Sequence, residues 1–489
     1  MAIELSNLTF TDEDDIVVSE IEEILNTGIA NTLDGNDSIT GIPTDSSSGS
    51  TNGVYNSGTL NTDDGNDIIT GISSLGNWWA NPDPETGRGI YNTIGTIETG
   101  NGNDIITGVG LASGIQSLSG TINTGDDDDT IMGDAGVGGP EGTGFGIWMA
   151  DSTLDTGKGN DVINGTVSSR NFGYGLLNGN GSTLTTGDGN DIIISEHNRM
   201  GVGISNDGLM DTGNGNDSIS GTNLTFEFLG LGISNSKDIT TGDGEDYISG
   251  SGYPNGIINS GIINTDNGAD TIFGSGWHGG GSGIINSGII NTGNGPDFME
   301  SSEGLSNTGN VFLGEGNDSL SASSSDYFNN TITNTSFIGT GDGNDIITSP
   351  GIVYNQGVIE TGNGDDSIIA NNGGVYKNGG AINMGDGNDS IITDRDFESG
   401  LNSSGAWFLG EGDDYIQGYG SGDFYGGSGN DTLELTPGTY TVGIGGEGGE
   451  SPMFARGGQL MITSEFEKLK AGSTIYDFTS LTADQIIVA

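Results

Sequence analysis

The sequence predicts an all-β solenoid, of the parallel β-helix or β-roll kind, with about sixteen coils and a cap at each end. Three observations predict it. A Gly-x-Gly-Asn-Asp turn recurs along the chain, for example Gly100-Asn101-Gly102-Asn103-Asp104, Gly187-Asp188-Gly189-Asn190-Asp191 and Gly341-Asp342-Gly343-Asn344-Asp345. Aligned on its last acid, the turn falls at Asp37, Asp67, Asp104, Asp129, Asp161, Asp191, Asp217, Asp246, Asp270, Asp297, Asp318, Asp345, Asp366, Asp389, Asp414 and Asp431. The mean spacing of about 26 residues lies in the range of stacked-coil architectures. Second, an apolar residue stands two positions after every one of these acids, from Ile39 to Leu433, and another seven before, as at Leu60, Ile97 and Ile290, with Ala30 the smallest. Third, the runs between glycines alternate apolar and polar residues, the period of half-buried strands, and no 3.6-residue period survives.

The elements follow in chain order. Residues 1–25 suit an N-terminal cap, with the acidic stretch Thr11-Asp12-Glu13-Asp14-Asp15 followed by Ile16-Val17-Val18. Residues 26–435 carry the repeats, each reading Asn-x-Gly-x-φ-x-Thr-Gly-x-Gly-Asn-Asp-x-φ, where φ is apolar. A single coil cannot bury its apolar row alone, but stacked coils share one core. Coil length varies from 17 to 37 residues, and the extra residues fall between the Ile row and the next Asn. The longest insertion holds Trp78 and Trp79, and Trp148 and Trp277 stand in other variable segments. The glycine turns stop after Asp431, and residues 436–489 suit a C-terminal cap that blocks end-to-end strand pairing.

Composition makes this fold conditional. The chain has 68 acids against 10 bases, a net charge of −58, and only 31% hydrophobic residues. Such a balance repels itself on compaction and resembles that of disordered chains. It also makes nucleic acid and anionic membranes poor partners. Bound cations would reconcile the charge with the periodic apolar rows. No cysteine is present, so disulfides and thiolate metal sites are excluded. No apolar run approaches the roughly 18 residues of a membrane span, and Met1-Ala2-Ile3-Glu4-Leu5 lacks the features of a secretory signal peptide.

The turn is suited to calcium. Ca²⁺ takes six to eight hard oxygens from carboxylates and backbone carbonyls. Glycine corners, as at Gly100 and Gly102, Gly187 and Gly189, Gly213 and Gly215, Gly341 and Gly343, and Gly427 and Gly429, let carbonyls approach without a Cβ in the way. One turn offers too few ligands, so a ladder of ions between successive corners is expected, with the sixteen aspartates supplying charge. Further acids three residues earlier, such as Asp34, Asp64, Asp188 and Asp342, either join the same corner or face solvent.

The corner resembles the haemolysin-type (RTX) calcium repeat, Gly-Gly-x-Gly-x-Asp-x-φ-x. Gly426-Gly427-Ser428-Gly429-Asn430-Asp431-Thr432-Leu433 matches it in full, and most other copies put threonine in place of the first glycine. The alternation with an Asn-x-Gly-x-φ half departs from the family's back-to-back nonapeptides and suggests one calcium ladder in place of two. Copies with Ala269, Pro296 or Asp127 beside the motif put the sites at Asp270, Asp297 and Asp129 in question. The chain is also similar to large repeat proteins of cyanobacterial surfaces. The resemblance implies export by a C-terminal type I secretion signal and folding in external calcium. It also implies an extracellular or cell-surface location, and removal of Ser480 to Ala489 is expected to block export while leaving folding nearly intact.

These features point to a calcium-binding structural element of a surface layer or sheath, with calcium ions as partners and self-assembly or cell-surface polysaccharide as further candidates. An adhesin or carbohydrate binder using the tryptophan loops is the alternative. An ice-binding solenoid would need flat ranks of threonine, and the row at Thr62, Thr99, Thr124, Thr241 and Thr292 is lost at Leu313, Met384 and Leu409. Thermal hysteresis separates that reading from the others. A polysaccharide lyase or epimerase would need a particular acid/base constellation, and His197 and His278 have no recognisable partner. No catalytic residue is therefore expected.

Overall fold

A computed structural model describes residues 2–44, 52–73, 87–136, 143–168, 172–197, 199–223, 230–277, 281–324, 330–371, 374–377, 379–394, 406–445 and 451–489. The insertion with Trp78 and Trp79, and His278, lie outside the described residues. The chain forms two units, one of residues 1–266 and 273–281, the other of 267–272 and 282–489. Each is a parallel β-solenoid, as the periodic sequence predicts.

One coil of the first unit shows the plan. Val54–Asn56 lies in sheet 1, Thr59–Asn61 in sheet 2 and, after the glycine corner, Ile68–Ile72 in sheet 3. Each of these strands pairs in parallel with the equivalent strand of the next coil, so Leu60 aligns with Ile97, and Ile69 with Ile106. Coil upon coil places like residue over like, the arrangement that a strict repeat makes possible. The two apolar rows read from the sequence face inward, with Leu60, Ile97, Ile69 and Ile106 fully buried. A third inward row comes from sheet 1, where Val54 aligns with Ile90 and Ile90 with Ile115. In the second unit Ile284, Leu305, Ile332, Val353 and Val375 form the same row.

The bend between sheets 1 and 2 is held by buried asparagines. Asn178 donates an amide hydrogen to Asn206, Asn206 to Asn235 and Asn235 to Asn259, at 2.7–2.9 Å. In the second unit Asn286, Asn307, Asn334 and Asn355 repeat this chain at 2.9 Å. The spare amide hydrogens reach strand carbonyls, as from Asn206 to Asp238. A row of polar side chains is thereby buried with most of its hydrogen bonds made, which is the condition for its tolerance in a narrow core. The Oδ1 atoms of Asn26 and Asn178 are without a partner among the described residues.

Both cap segments extend the repeat. Ile16–Ser19 pairs in parallel with Ser38–Gly41 in sheet 3, and Leu5 of a short 3₁₀ turn is buried. At the other end Lys468–Ala471 pairs in parallel with Thr432–Leu435. Antiparallel strands then fold over, with Ile486–Val488 against Thr439–Thr441 and Ile487 fully buried. Among the last ten residues Leu481 and Ile487 are buried, so removal of Ser480 to Ala489 would uncover the cap strand Thr439–Thr441. Among the described residues no helix is long and apolar enough to cross a membrane.

Candidate functional site

The corners between sheets 2 and 3 bring the sequence-predicted residues together. The ten glycines Gly100, Gly102, Gly187, Gly189, Gly213, Gly215, Gly341, Gly343, Gly427 and Gly429 all have positive φ, between +85 and +159°. That backbone disfavours any residue with a Cβ. A second constraint is the neighbouring coil, since a Cβ on Gly189 would stand 1.4 Å from the carbonyl oxygen of Gly159. Glycine carbonyls of one coil therefore point along the stack at the glycines of the next.

All sixteen aspartates are 0–2% exposed. In the first unit the N–H of each donates to Oδ1 of the aspartate one coil on, from Asp37 to Asp67, Asp67 to Asp104, Asp104 to Asp129, Asp129 to Asp161, Asp161 to Asp191, Asp191 to Asp217 and Asp217 to Asp246, at 2.7–2.8 Å. In the second unit the same bond runs from Asp270 through Asp297, Asp318, Asp345, Asp366, Asp389 and Asp414 to Asp431, at 2.8–2.9 Å. The copies altered by Asp127 and Pro296 keep their places, since Asp129 accepts from Asp104 and Asp297 from Asp270. The ladder also enters both caps, where Asp15 donates to Asp37 and Asp431 donates to Glu467 Oε2.

The second carboxylate oxygen is different. Oδ2 of Asp37, Asp67, Asp104, Asp129, Asp191 and Asp217 is buried with no hydrogen-bond partner among the described residues, as is Oδ2 of Asp297, Asp318, Asp345, Asp366, Asp389, Asp414 and Asp431. At Asp161 and Asp246 the threonine five residues earlier donates to Oδ2 at 2.6 Å. At several other corners that hydroxyl donates to a carbonyl of the next coil, as from Thr99 to the Thr124 carbonyl at 3.2 Å. A threonine hydroxyl rotates freely, and against the larger upward push of burial its nearness lowers the pKa of Asp104 somewhat.

Burial dominates. It pushes Asp67, Asp161 and Asp191 up to about 6, Asp104 and Asp217 to about 7, and Asp129 to about 8, and the ladder neighbours of most of them add repulsion. In the second unit Asp318, Asp366, Asp414 and Asp431 reach about 6, and Asp297 and Asp389 about 7, for the same reason. Two unit charges about 4.8 Å apart repel by roughly 3 kcal/mol at an effective dielectric near 20. A stack of ionised, buried carboxylates needs positive charge between its members.

The acids three residues earlier face solvent. Asp34, Asp64, Asp126, Asp188, Asp243, Glu315, Asp342, Asp386 and Glu411 are all exposed. Several of them, with the asparagines just before the ladder aspartates, make an outer stitch that runs opposite to the inner one. Asn103 N–H donates to Asn66 Oδ1 and Asn190 N–H to Asn160 Oδ1, each time to the preceding coil. Corners stitched this way are tied in both directions.

The residues fit a cation. The corners carry buried Oδ2 atoms with no hydrogen-bond partner among the described residues, and the glycines of the same turns offer neutral carbonyl oxygens. Among the described residues no three His, Cys, Asp or Glu side chains converge on one point, so a cation would draw most of its shell from the backbone.

Other candidates are placed elsewhere. Trp148, read as a loop residue, lies in the strand Gly144–Ala150. Its ring stacks on Phe145 at 4.5 Å, and Phe145 on Tyr174 at 5.6 Å, so these ring faces are turned to one another. His197 is fully buried; its Nδ1 accepts the Arg199 N–H, and burial pulls its pKa down to about 4.

No protein-family model and no curated protein matches the sequence. Among solved structures, the chain is similar to a hyperactive, Ca²⁺-dependent, β-helical antifreeze protein from an Antarctic bacterium. The identity is 17%, 81% of this chain and 83% of that chain are covered, and the TM-score is 0.30. A likeness this loose has no bearing on function. Fold and site together define the class of the protein, a parallel β-solenoid with a buried carboxylate ladder along one corner.

Proposed function

We propose that the protein binds a ladder of Ca²⁺ at its Gly-x-Gly-Asn-Asp corners, folds when those ions neutralise the buried carboxylates, and serves outside the cell as a structural or surface-layer element. The observation that carries this reading is the run of buried Oδ2 atoms, unpartnered among the described residues, that recurs with the glycine corners. Calcium suits the site better than magnesium, because it accepts six to eight oxygens in irregular array while magnesium demands a small octahedron. Two adjacent corners would hold each ion through carboxylate and carbonyl oxygens. Cytosolic calcium would leave such sites empty, which favours a calcium-rich space outside the cell, reached through a C-terminal signal of the RTX kind. A non-enzymatic role fits the burial of His197 and the uniformity of the acids along the stack.

Asp217→Asn tests the ladder. The amide keeps the Oδ1 that accepts the Asp191 N–H but replaces the charged Oδ2. Bound calcium, measured by equilibrium dialysis, is expected to fall by about two ions if neighbouring corners share them. Asp188→Asn, on the exposed acid of an adjoining corner, is expected to leave it unchanged. Equal stoichiometry in wild type and Asp217→Asn would contradict the proposal.

Ice binding has one specific observation in its favour. The threonine row named from the sequence is buried inside the corner, Thr62 and Thr99 being 0–1% exposed. A different row, Thr59, Thr96, Thr121, Thr153 and Thr183, is aligned on the outer face of sheet 2. It ends at Leu209, which aligns with Thr183. The rank is short against the carboxylate ladder, and the calcium reading remains the one proposed.

A further inference from the structure

Twelve of the sixteen corners carry a threonine five residues before the ladder aspartate, at the place of the first glycine in the repeat that the corner resembles. Each of these threonines is at most 1% exposed, so its hydroxyl must find a partner inside the stack or go without. The structure holds that hydroxyl at two stations. Thr156 and Thr241 donate to Oδ2 of Asp161 and Asp246 at 2.6 Å. Thr99, Thr186 and Thr340 donate to the carbonyls of Thr124, Thr212 and Thr361, one coil on, at 3.1–3.2 Å. In those three corners Oδ2 of Asp104, Asp191 and Asp345 is buried without a partner among the described residues. The two stations exclude one another, because one hydroxyl has one proton to give.

Four corners lack the group. Leu313, Met384, Leu409 and Gly426 precede Asp318, Asp389, Asp414 and Asp431. Oδ2 of all four aspartates is buried and without a hydrogen-bond partner among the described residues. The last three corners follow one another along the second unit.

We infer that the threonine is the chain's own stand-in for the ion. It donates to Oδ2 when no ion is bound, and gives way to the carbonyl of the next coil when an ion takes that oxygen. This rests on the calcium reading proposed above and deepens it, because it ranks the corners. A buried carboxylate oxygen left without a partner is costly, and a hydrogen bond to a charged group is roughly twice as strong as a neutral one. The hydroxyl carries no charge and offsets only part of what the ion supplies, so calcium still drives folding. At a threonine corner the ion displaces a bond that already exists, which weakens its hold. At Asp389, Asp414 and Asp431 no hydroxyl competes. These three corners are where calcium binds most tightly and where the fold leans on it most.

Urea unfolding of the full chain tests this, run from the lowest calcium concentration that folds the wild type up to saturation. Thr156→Val removes the hydroxyl with little change of shape. Its folding constant is expected to fall, relative to wild type, by about five- to tenfold more in limiting calcium than in saturating calcium. Thr156→Ser keeps a hydroxyl and is expected to follow the wild type. Met384→Thr and Met384→Val differ from each other in the same hydroxyl. The threonine variant is expected to lead by a similar factor in limiting calcium, and the lead is expected to shrink as calcium saturates. Leu409→Thr against Leu409→Val repeats the comparison should the Met384 variants fail to fold. Lost packing, or a lost bond to the next coil, would act equally at every calcium concentration. Threonine-to-valine ratios that stay constant while wild-type stability rises with calcium would overturn the inference and leave the calcium reading standing. Wild-type stability that does not respond to calcium would overturn both.

Discussion

Gly343→Ala is expected to destabilise the fold by at least about 3 kcal/mol, more than most single substitutions do. A Cβ at this position would stand 1.3 Å from the carbonyl oxygen of Gly316 in the preceding coil, on a backbone with φ of +146°. The obstacle is main chain, so no rotamer relieves it, and left-handed strain adds about 1–3 kcal/mol. Gly215→Ala, with a Cβ 1.4 Å from the Gly189 carbonyl oxygen, is expected to match it. Gly136→Ala is the control, because its nearest neighbour is 3.5 Å away. Urea denaturation in calcium checks the comparison. Midpoints for Gly343→Ala and Gly136→Ala that coincide would show that coil-to-coil contact at the corner does not set stability.

The metal-free chain is expected to gain stability on acidification, the reverse of ordinary acid denaturation. Burial raises the ladder carboxyls from near 4 to about 6 at Asp191, about 7 at Asp217 and about 8 at Asp129. Between those limits the folded chain binds more protons than the unfolded one. The stability of the metal-free fold is then fully present below about pH 4 and is lost as pH rises through about 6 to 8. Proton and calcium would compete for the same oxygens, so calcium binding near pH 7 is expected to release protons. Calorimetry in two buffers of different ionisation enthalpy measures that release. Binding heats that do not depend on the buffer would show that the ladder carboxyls are already ionised.

Much of this architecture was legible in the sequence because the repeat is rigid where the coils touch. The spacing from the corner aspartate to the residues two after and seven before is fixed, and both rows are buried as their periodicity predicts. The sheet 1 row was missed because insertions separate it from the preceding aspartate. Its constant reference is the asparagine two residues later, as in Val54 before Asn56. The corner glycines were legible from spacing, but the cause that spacing does not show is the neighbouring carbonyl. Burial of the sixteen aspartates and of the threonines follows from their in-register repetition. The partition of each carboxylate into one bonded and one unpartnered oxygen does not, since it depends on the offset of one coil over the next. Exposed acids such as Asp64 and Asp188 share the motif with the buried ones, and only the direction of the backbone separates them. Trp148 was read as a loop residue for want of a glycine-free strand signal around Gly144 and Gly146.

If calcium is the ion that neutralises the buried carboxylate ladder, the solenoid forms only in its presence. Far-UV circular dichroism of the full chain at about pH 8, first in chelator and then with millimolar calcium, tests it most directly. A disordered spectrum is expected in chelator, consistent with the net charge of −58, and a strand spectrum once calcium is added. A strong strand spectrum in chelator at that pH, unchanged by calcium, would contradict it.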